Sequence, residues 1–263
     1  MLSHPTPAKF WEKYLAYLKA SNQFPDPGQC TDKKLLKEAL EMLNFSYARV
    51  HAPNYISIDT ISNLPSPLRH AGLVVIRLGL GQFTLCKPKE GLKGYTINPP
   101  SEVNELIELQ VPKWTYNIAI SAGEYPFAQL VVFHSIKEIF NMESPYMFSS
   151  VRLGNASFEI EPQPGYGFLY KGQVEADIIA GENFIVSFEA KTKLGLLKHK
   201  VAFSCQSIAD LIDKEVLPAV VYLNIKNREG LLLILNSKAK PNKPYPIHEM
   251  KVNKAFKIVL RPY

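Results

Sequence analysis

Two consecutive stretches decide the fold: Gly172-Gln173-Val174-Glu175-Ala176-Asp177-Ile178-Ile179 and, after a turn at residues 181–183, Phe184-Ile185-Val186-Ser187-Phe188-Glu189-Ala190-Lys191. Both are rich in β-branched and aromatic residues and read as strands. Side chains two apart on a strand share a face, which sets Glu175 with Asp177 and leaves Val174, Ala176 and Ile178 on the other side. By the same rule Glu189 and Lys191 share a face opposite Phe188 and Ala190. If the strands pair through the turn, three acids and one amine converge. Phe184, Ile185, Val186 and Phe188 make the second strand apolar enough to be central and covered on both sides.

Working outward, residues 151–160 and 166–179 read as strands around a Glu161-Pro162-Gln163-Pro164-Gly165 turn. Pro126 is placed to open a helix over 126–141, with Phe127, Leu130, Val131, His134 and Glu138 along one side. Downstream, a helix is expected over 207–215, strands over 219–225 and 231–235 around an Asn227-Arg228-Glu229-Gly230 turn, and a last strand over 256–260 after a lysine- and proline-rich tail. That order suits a mixed sheet with helices packed against it, an α/β (α+β) class. Upstream, 9–20 forms an amphipathic helix. Thr31 or Asp32 is expected to cap a second one carrying Leu35, Leu36, Ala39, Leu40 and Leu43, with Lys33, Lys34 and Lys37 on its exposed side. Residues 71–87 read as a strand or a hairpin broken near 79–81, and 87–100 as a basic, turn-rich loop. There is no internal repeat.

The chain has 263 residues, 46% hydrophobic and 21% charged, as in an ordinary globular protein. A net charge of +6 and a pI near 9.0 lean mildly toward polyanionic partners. Cys30, Cys86 and Cys205 are few, far apart and without a Cys-x-x-Cys pair, so three reduced thiols are expected rather than a disulfide framework or a structural zinc. The N-terminal stretch lacks the apolar core of a leader, and no apolar run reaches the roughly 18 residues needed to span a bilayer. An intracellular, soluble protein is expected. No Gly-x-Ser-x-Gly elbow, P-loop or dinucleotide fingerprint is present. His134 reads as an ordinary helix histidine.

Clustered carboxylates can hold Mg²⁺, a hard ion that takes oxygen ligands and keeps several waters. A neighbouring lysine can orient the attacking water or stabilise an anionic transition state. Asp177, eleven residues, then Glu189-Ala190-Lys191 resembles the motif of the PD-(D/E)xK nuclease superfamily. The longer string from Gly172 is similar to type II restriction endonucleases of that superfamily. The resemblance covers roughly residues 125–235, with Ala176 standing where the motif's proline would be.

The resemblance implies a restriction-endonuclease-like mixed sheet flanked by helices over 121–263, and an N-terminal α+β region, 1–120, carrying target recognition. It implies catalysis by Asp177, Glu189 and Lys191, supported by Gln206 at the start of the following helix. Magnesium would be held by Asp177 and Glu189, with Glu175 as a further ligand. Glu138 would match the family's acid on the first core helix, with Glu143 and Glu159 as alternatives. Arg152, in the 149–155 segment, and Lys193, Lys198 and Lys200, read as a loop, are candidate DNA contacts. The expected activity is sequence-specific, Mg²⁺-dependent cleavage of double-stranded DNA by a homodimer, in a restriction-modification system of the prokaryotic cytoplasm. A repair nuclease or junction resolvase of the same superfamily, and a non-catalytic DNA-binding protein that keeps the fold, are the alternatives. The intact Asp, Glu and Lys set weighs against the last.

Overall fold

The structure, a computed structural model, describes residues 4–48, 50–103 and 105–263. The chain opens with α1 (Pro7–Ala20), capped by Thr6 and burying Phe10, Trp11, Tyr14, Leu15 and Leu18. Then come α2 (Leu36–Met42), α3 (Ser66–Ala71) and the hairpin β1 (Val74–Gly79) and β2 (Gln82–Lys87). The remainder runs β3 (Glu105–Val111), α4 (Lys113–Ala122), α5 (Glu124–Phe140), β4 (Tyr146–Gln163) and β5 (Tyr166–Gly181). It continues as β6 (Ile185–Lys191), α6 (Lys198–Ile212), β7 (Val216–Asn224), β8 (Glu229–Leu235) and β9 (Val252–Pro262).

The main sheet is mixed. From one edge its order is the short strand Tyr245–Pro246, then β4, β5, β6, β7, β8, β9 and β3. β6 and β7 run parallel, joined by α6 in a β-α-β crossover, while β4, β5 and β6 form an antiparallel meander. Central strands are covered on both faces. Ala219, Val221 and Leu223 of β7 pack with Phe188 and with Phe127, Val131 and Val132 of α5. Val216, Val220 and Tyr222 pack with Val201, Cys205 and Ala209 of α6. Such two-sided burial explains why β6 reads as a nearly unbroken apolar run. The mixed α+β class expected from the sequence is therefore what the chain forms.

Several expectations are corrected. Helix α6 begins at Lys198 rather than at 207, because its Lys-His-Lys first turn, which looks like a soluble loop, packs beneath the N-terminal region with Lys198 and His199 buried and Lys200 half-buried. Neither Thr31 nor Asp32 caps α2. The short strands Gln29–Cys30 and Lys34–Leu35 pair with β2 instead, and Thr31 Oγ1 accepts the Leu85 N–H at 3.1 Å. Lys33 and Lys34 thus lie off the helix, and Lys37 sits 3.9 Å from Glu41. Cys30 and Cys86 face each other across that pairing and form a disulfide, against the expectation of three free thiols; Cys205 is free and buried. β3 and α4 went unassigned in the sequence, and a boundary at residue 120 cuts through α4.

The N-terminal region is not a separate body. Phe10, Trp11 and Phe83 belong to the same buried cluster as Phe158, Tyr170, Val201 and Val220 of the sheet and α6. β3 pairs with β9 at the sheet edge. At Gly79 the hairpin meets β5 so closely that an added Cβ would stand 1.5 Å from the Lys171 carbonyl oxygen, and its φ of +86° is itself one that L side chains avoid. Gly79→Ala should therefore destabilise the whole protein by at least about 2 kcal/mol, seen as a lowered midpoint in urea with an unchanged slope.

Candidate active site

The site forms where two neighbouring strands part. β5 and β6 pair from Gly181↔Ile185 to Ile178↔Phe188 and no further. Past that point the backbone of β6 needs another partner on this side. Asp177, the next residue of β5, supplies it: its Oδ2 accepts the Ala190 N–H at 2.9 Å. On the other flank, Ser150 of β4 adopts a φ of +52° between the pairs Ser149↔Ile178 and Val151↔Ala176. Across this irregularity Val174 and Ala176 pack into one core cluster, and Ile178 and Ala180 into the other. The strict alternation expected along β5 fails at Asp177.

Alternation does hold in β6. Val186, Phe188 and Ala190 pack toward α5, which leaves Glu189 and Lys191 on the α6 side. Lys191 Nζ lies 3.1 Å from Glu189 Oε1 and 3.6 Å from Asp177 Oδ2. The three residues singled out in the sequence thus meet at one ammonium group, and both carboxylates are almost entirely buried.

Two further side chains complete the centre: Lys200, expected as a DNA contact on a loop, and Tyr125, which the sequence did not single out. Lys200, in the first turn of α6, places Nζ 3.6 Å from Glu189 Oε1. Tyr125, in the first turn of α5, donates its hydroxyl to Asp177 Oδ1 at 3.1 Å. Tyr125 carries no pattern of its own and the place of Lys200 beside Glu189 has no local signal, so only the packing of helices on the sheet reveals both roles. Asp59, from the N-terminal region, adds negative charge close enough to favour the charged forms of Lys191 and Lys200.

Burial pushes the Glu189 carboxyl up to about 7, with Asp177 adding to the rise and Lys200 and Lys191 opposing it. Burial also works against the Lys191 and Lys200 charges, but the Glu189 carboxylate, helped by Asp177 and Asp59, outweighs it and holds both lysines above their usual range. Neither Glu189 oxygen has an aligned hydrogen-bond donor among the described residues; the lysines attract it as ion pairs of poor hydrogen-bond geometry. His199, between the two lysines of the α6 turn, is pushed down to about 4 by burial and is neutral. Its Nε2–H donates to the Ile58 carbonyl at 3.1 Å.

The remaining candidates fall elsewhere. Glu175 is taken by Arg152, Nε to Oε1 2.8 Å, and by Gln173 at 3.2 Å, so the expected metal ligand and the expected DNA contact pair with each other on the surface. Gln206 lies in the middle of α6, not at its start, and its Nε2 donates to Asp210 and to the Lys240 carbonyl, both at 2.8 Å. It touches none of the three central residues. Lys193 is exposed in the turn after β6, whereas Lys198 is buried and Lys200 belongs to the centre itself. Glu138 is thirteen residues beyond Tyr125 on α5, about 20 Å along the helix, and Glu143 and Glu159 are exposed. The acid nearest Tyr125 in sequence is Glu124, whose Oε1 is buried without a partner.

Among the described residues no group of three His, Cys, Asp or Glu side chains is arranged to hold a metal. Magnesium does not require one, since one or two carboxylates plus waters and substrate oxygens suffice. Asp177 and Glu189 fit that role. The unaligned, buried oxygens of Glu189 and its raised pKa are what a cation beside it would relieve.

No family model matches the chain, and no curated protein matches it. Among solved structures it is similar to a crystal structure of SSO0001, at 17% identity over 46% of this chain and 52% of that one, with a TM-score of 0.19. An overlap so shallow adds nothing to the reading of the site.

A pH test follows from Glu189. A carboxyl whose folded pKa lies near 7 rather than 4.5 binds more protons folded than unfolded between those values, so stability falls as pH rises through that window. Without divalent ions, the protein should lose up to about 3 kcal/mol between pH 4.5 and 7.5 relative to Glu189→Gln, by urea denaturation.

Proposed function

We propose that the protein is a Mg²⁺-dependent DNA endonuclease resembling type II restriction enzymes, which hydrolyses phosphodiesters of double-stranded DNA. The observation that carries this reading is the meeting of Asp177, Glu189 and Lys191 at one point, at the fork between β5 and β6. A protein that only bound DNA would have no use for two buried carboxylates facing a polyanion. Burying them costs several kcal/mol per ion unless they are compensated.

Each residue has a task its surroundings equip it for. Asp177 is fixed on both oxygens, by the Ala190 amide and the Tyr125 hydroxyl, and offers its remaining lone pairs to a cation. Glu189, fixed only by its strand and two ammonium groups, is the second ligand. A divalent ion bound there would offset charge developing on the phosphate and acidify a water. Lys191, charged at neutral pH and adjacent to both carboxylates, would orient the attacking water and stabilise the anionic transition state. Lys200 favours the ionised form of Glu189, offsetting part of the effect of burial. Specificity would come from base-edge contacts by the N-terminal region, and a homodimer would match a two-fold site. A restriction-modification system in a prokaryotic cytoplasm is the setting that suits such an enzyme.

Incubating the protein with phage DNA in Mg²⁺ or in EDTA tests this directly. Discrete fragments should appear with Mg²⁺ alone, and uncut but retarded DNA under every divalent ion would refute it. Asp177→Ala and Lys191→Ala should each lower cleavage by about a hundredfold or more while gel-shift affinity survives. Tyr125→Phe, which removes one hydrogen bond to Asp177, should cost about tenfold in rate.

A further inference from the structure

Lys200 faces two ways. Besides approaching Glu189, it lines a cleft of about 320 Å³ between residues 53–59 of the N-terminal region and β5. Ile56, Tyr170 and Phe203 give this cleft apolar and aromatic walls, and Asp59, Arg77 and Gln173 add polar groups. Arg77 and Asp59 are both half-buried, yet neither forms a salt bridge among the described residues, with each other or with any other group. Among the described residues the Arg77 guanidinium donates one hydrogen bond, a long one of 3.4 Å to Ser57 Oγ.

Arg77 has no ion-pair partner among the described residues, and Asp59 meets the Lys191 and Lys200 charges only at longer range, so a half-buried guanidinium and carboxylate in one cleft are left open to a ligand that complements both. That ligand needs an anion for Arg77, N–H donors for Asp59 and a flat apolar body for the aromatic wall. A nucleotide has all three: a phosphate, the amino or imino edge of a base, and a π-face. The volume suits one such unit, and Lys200 joins the cleft directly to the acidic centre.

Resting on the nuclease reading of that centre, we propose that this cleft holds one nucleotide of the substrate strand, turned out of the base stack, beside the phosphodiester to be cut. Arg77 binds its phosphate, and Asp59 accepts from its base. Extruding a base from a duplex costs a few kcal/mol, least at a mismatched or unpaired position. The N-terminal region thereby contributes to the substrate site itself, through Asp59 and Arg77.

The test is equilibrium binding, in EDTA so that nothing is cut, of short single-stranded oligodeoxynucleotides with 2-aminopurine at each position in turn. One position should change fluorescence on binding. Arg77→Gln should weaken binding by about tenfold and abolish that change, and Asp59→Asn should alter the preference among bases, both variants melting as the parent does. Parental affinity and base preference in both variants would overturn the proposal. If Arg77→Gln fails to fold, Asp59→Asn alone decides by the same criterion. DNA cutting with Mg²⁺ but indifferent oligonucleotide binding removes the cleft and keeps the nuclease. Arg77-dependent binding without cutting under any divalent ion does the reverse.

Discussion

The hydrogen bond from the Ala190 amide to Asp177 is the contact on which the centre depends. Where β5 stops pairing with β6, the buried Ala190 N–H would otherwise cost about 1–3 kcal/mol as an orphan donor. A carboxylate fills the gap better than a carbonyl, since a bond to a charged acceptor is stronger. The divergence of two strands, a structural defect by itself, becomes the means of fixing a carboxylate in the interior. Everything around it follows from that placement. Lys191 is drawn between the two acids, Tyr125 ties α5 to the fork, and Lys200 comes in from α6.

Two carboxylates and two ammonium groups share this small volume, and the attractions among them do not fully offset desolvation at Glu189. Replacing such a cluster by apolar groups often stabilises a fold. Stability therefore does not account for its presence at the heart of an otherwise apolar sheet, whereas the proposed function does. The neighbouring helix turn repeats the theme, since neutral His199 and buried Lys198 occupy positions that packing alone would give to aliphatic residues.

Much of this was legible in the sequence where local pattern and burial agree. β6, with apolar residues on one face and Glu189 and Lys191 on the other, could be read directly, as could the hairpin at 79–81 and the amphipathic α1. The reading failed where long-range packing overrides local character. Lys198-His199-Lys200 has the composition of a solvated loop, yet it forms a helix turn with Lys198 and His199 buried, because the N-terminal region covers it. Glu175 shares its parity with Asp177, but the irregularity at Ser150 and the pull of Arg152 separate them. Cys30 and Cys86 lie 56 residues apart and meet only because two short strands close around β2. Asp59 and Arg77 have no motif at all; their meaning lies in a cleft between distant segments.

The pairing of β3 with β9 bears on how the molecule is made. The strand synthesised first among those of the main sheet lies alongside the one synthesised last, Phe256↔Glu105 through Pro262↔Val111. Loop closure over so many residues is slow, so the sheet edge stays open until residues 252–262 have been made. A ribosome that stalls before residue 252 would release a chain with two raw strand edges, β3 and β8, and such edges invite aggregation.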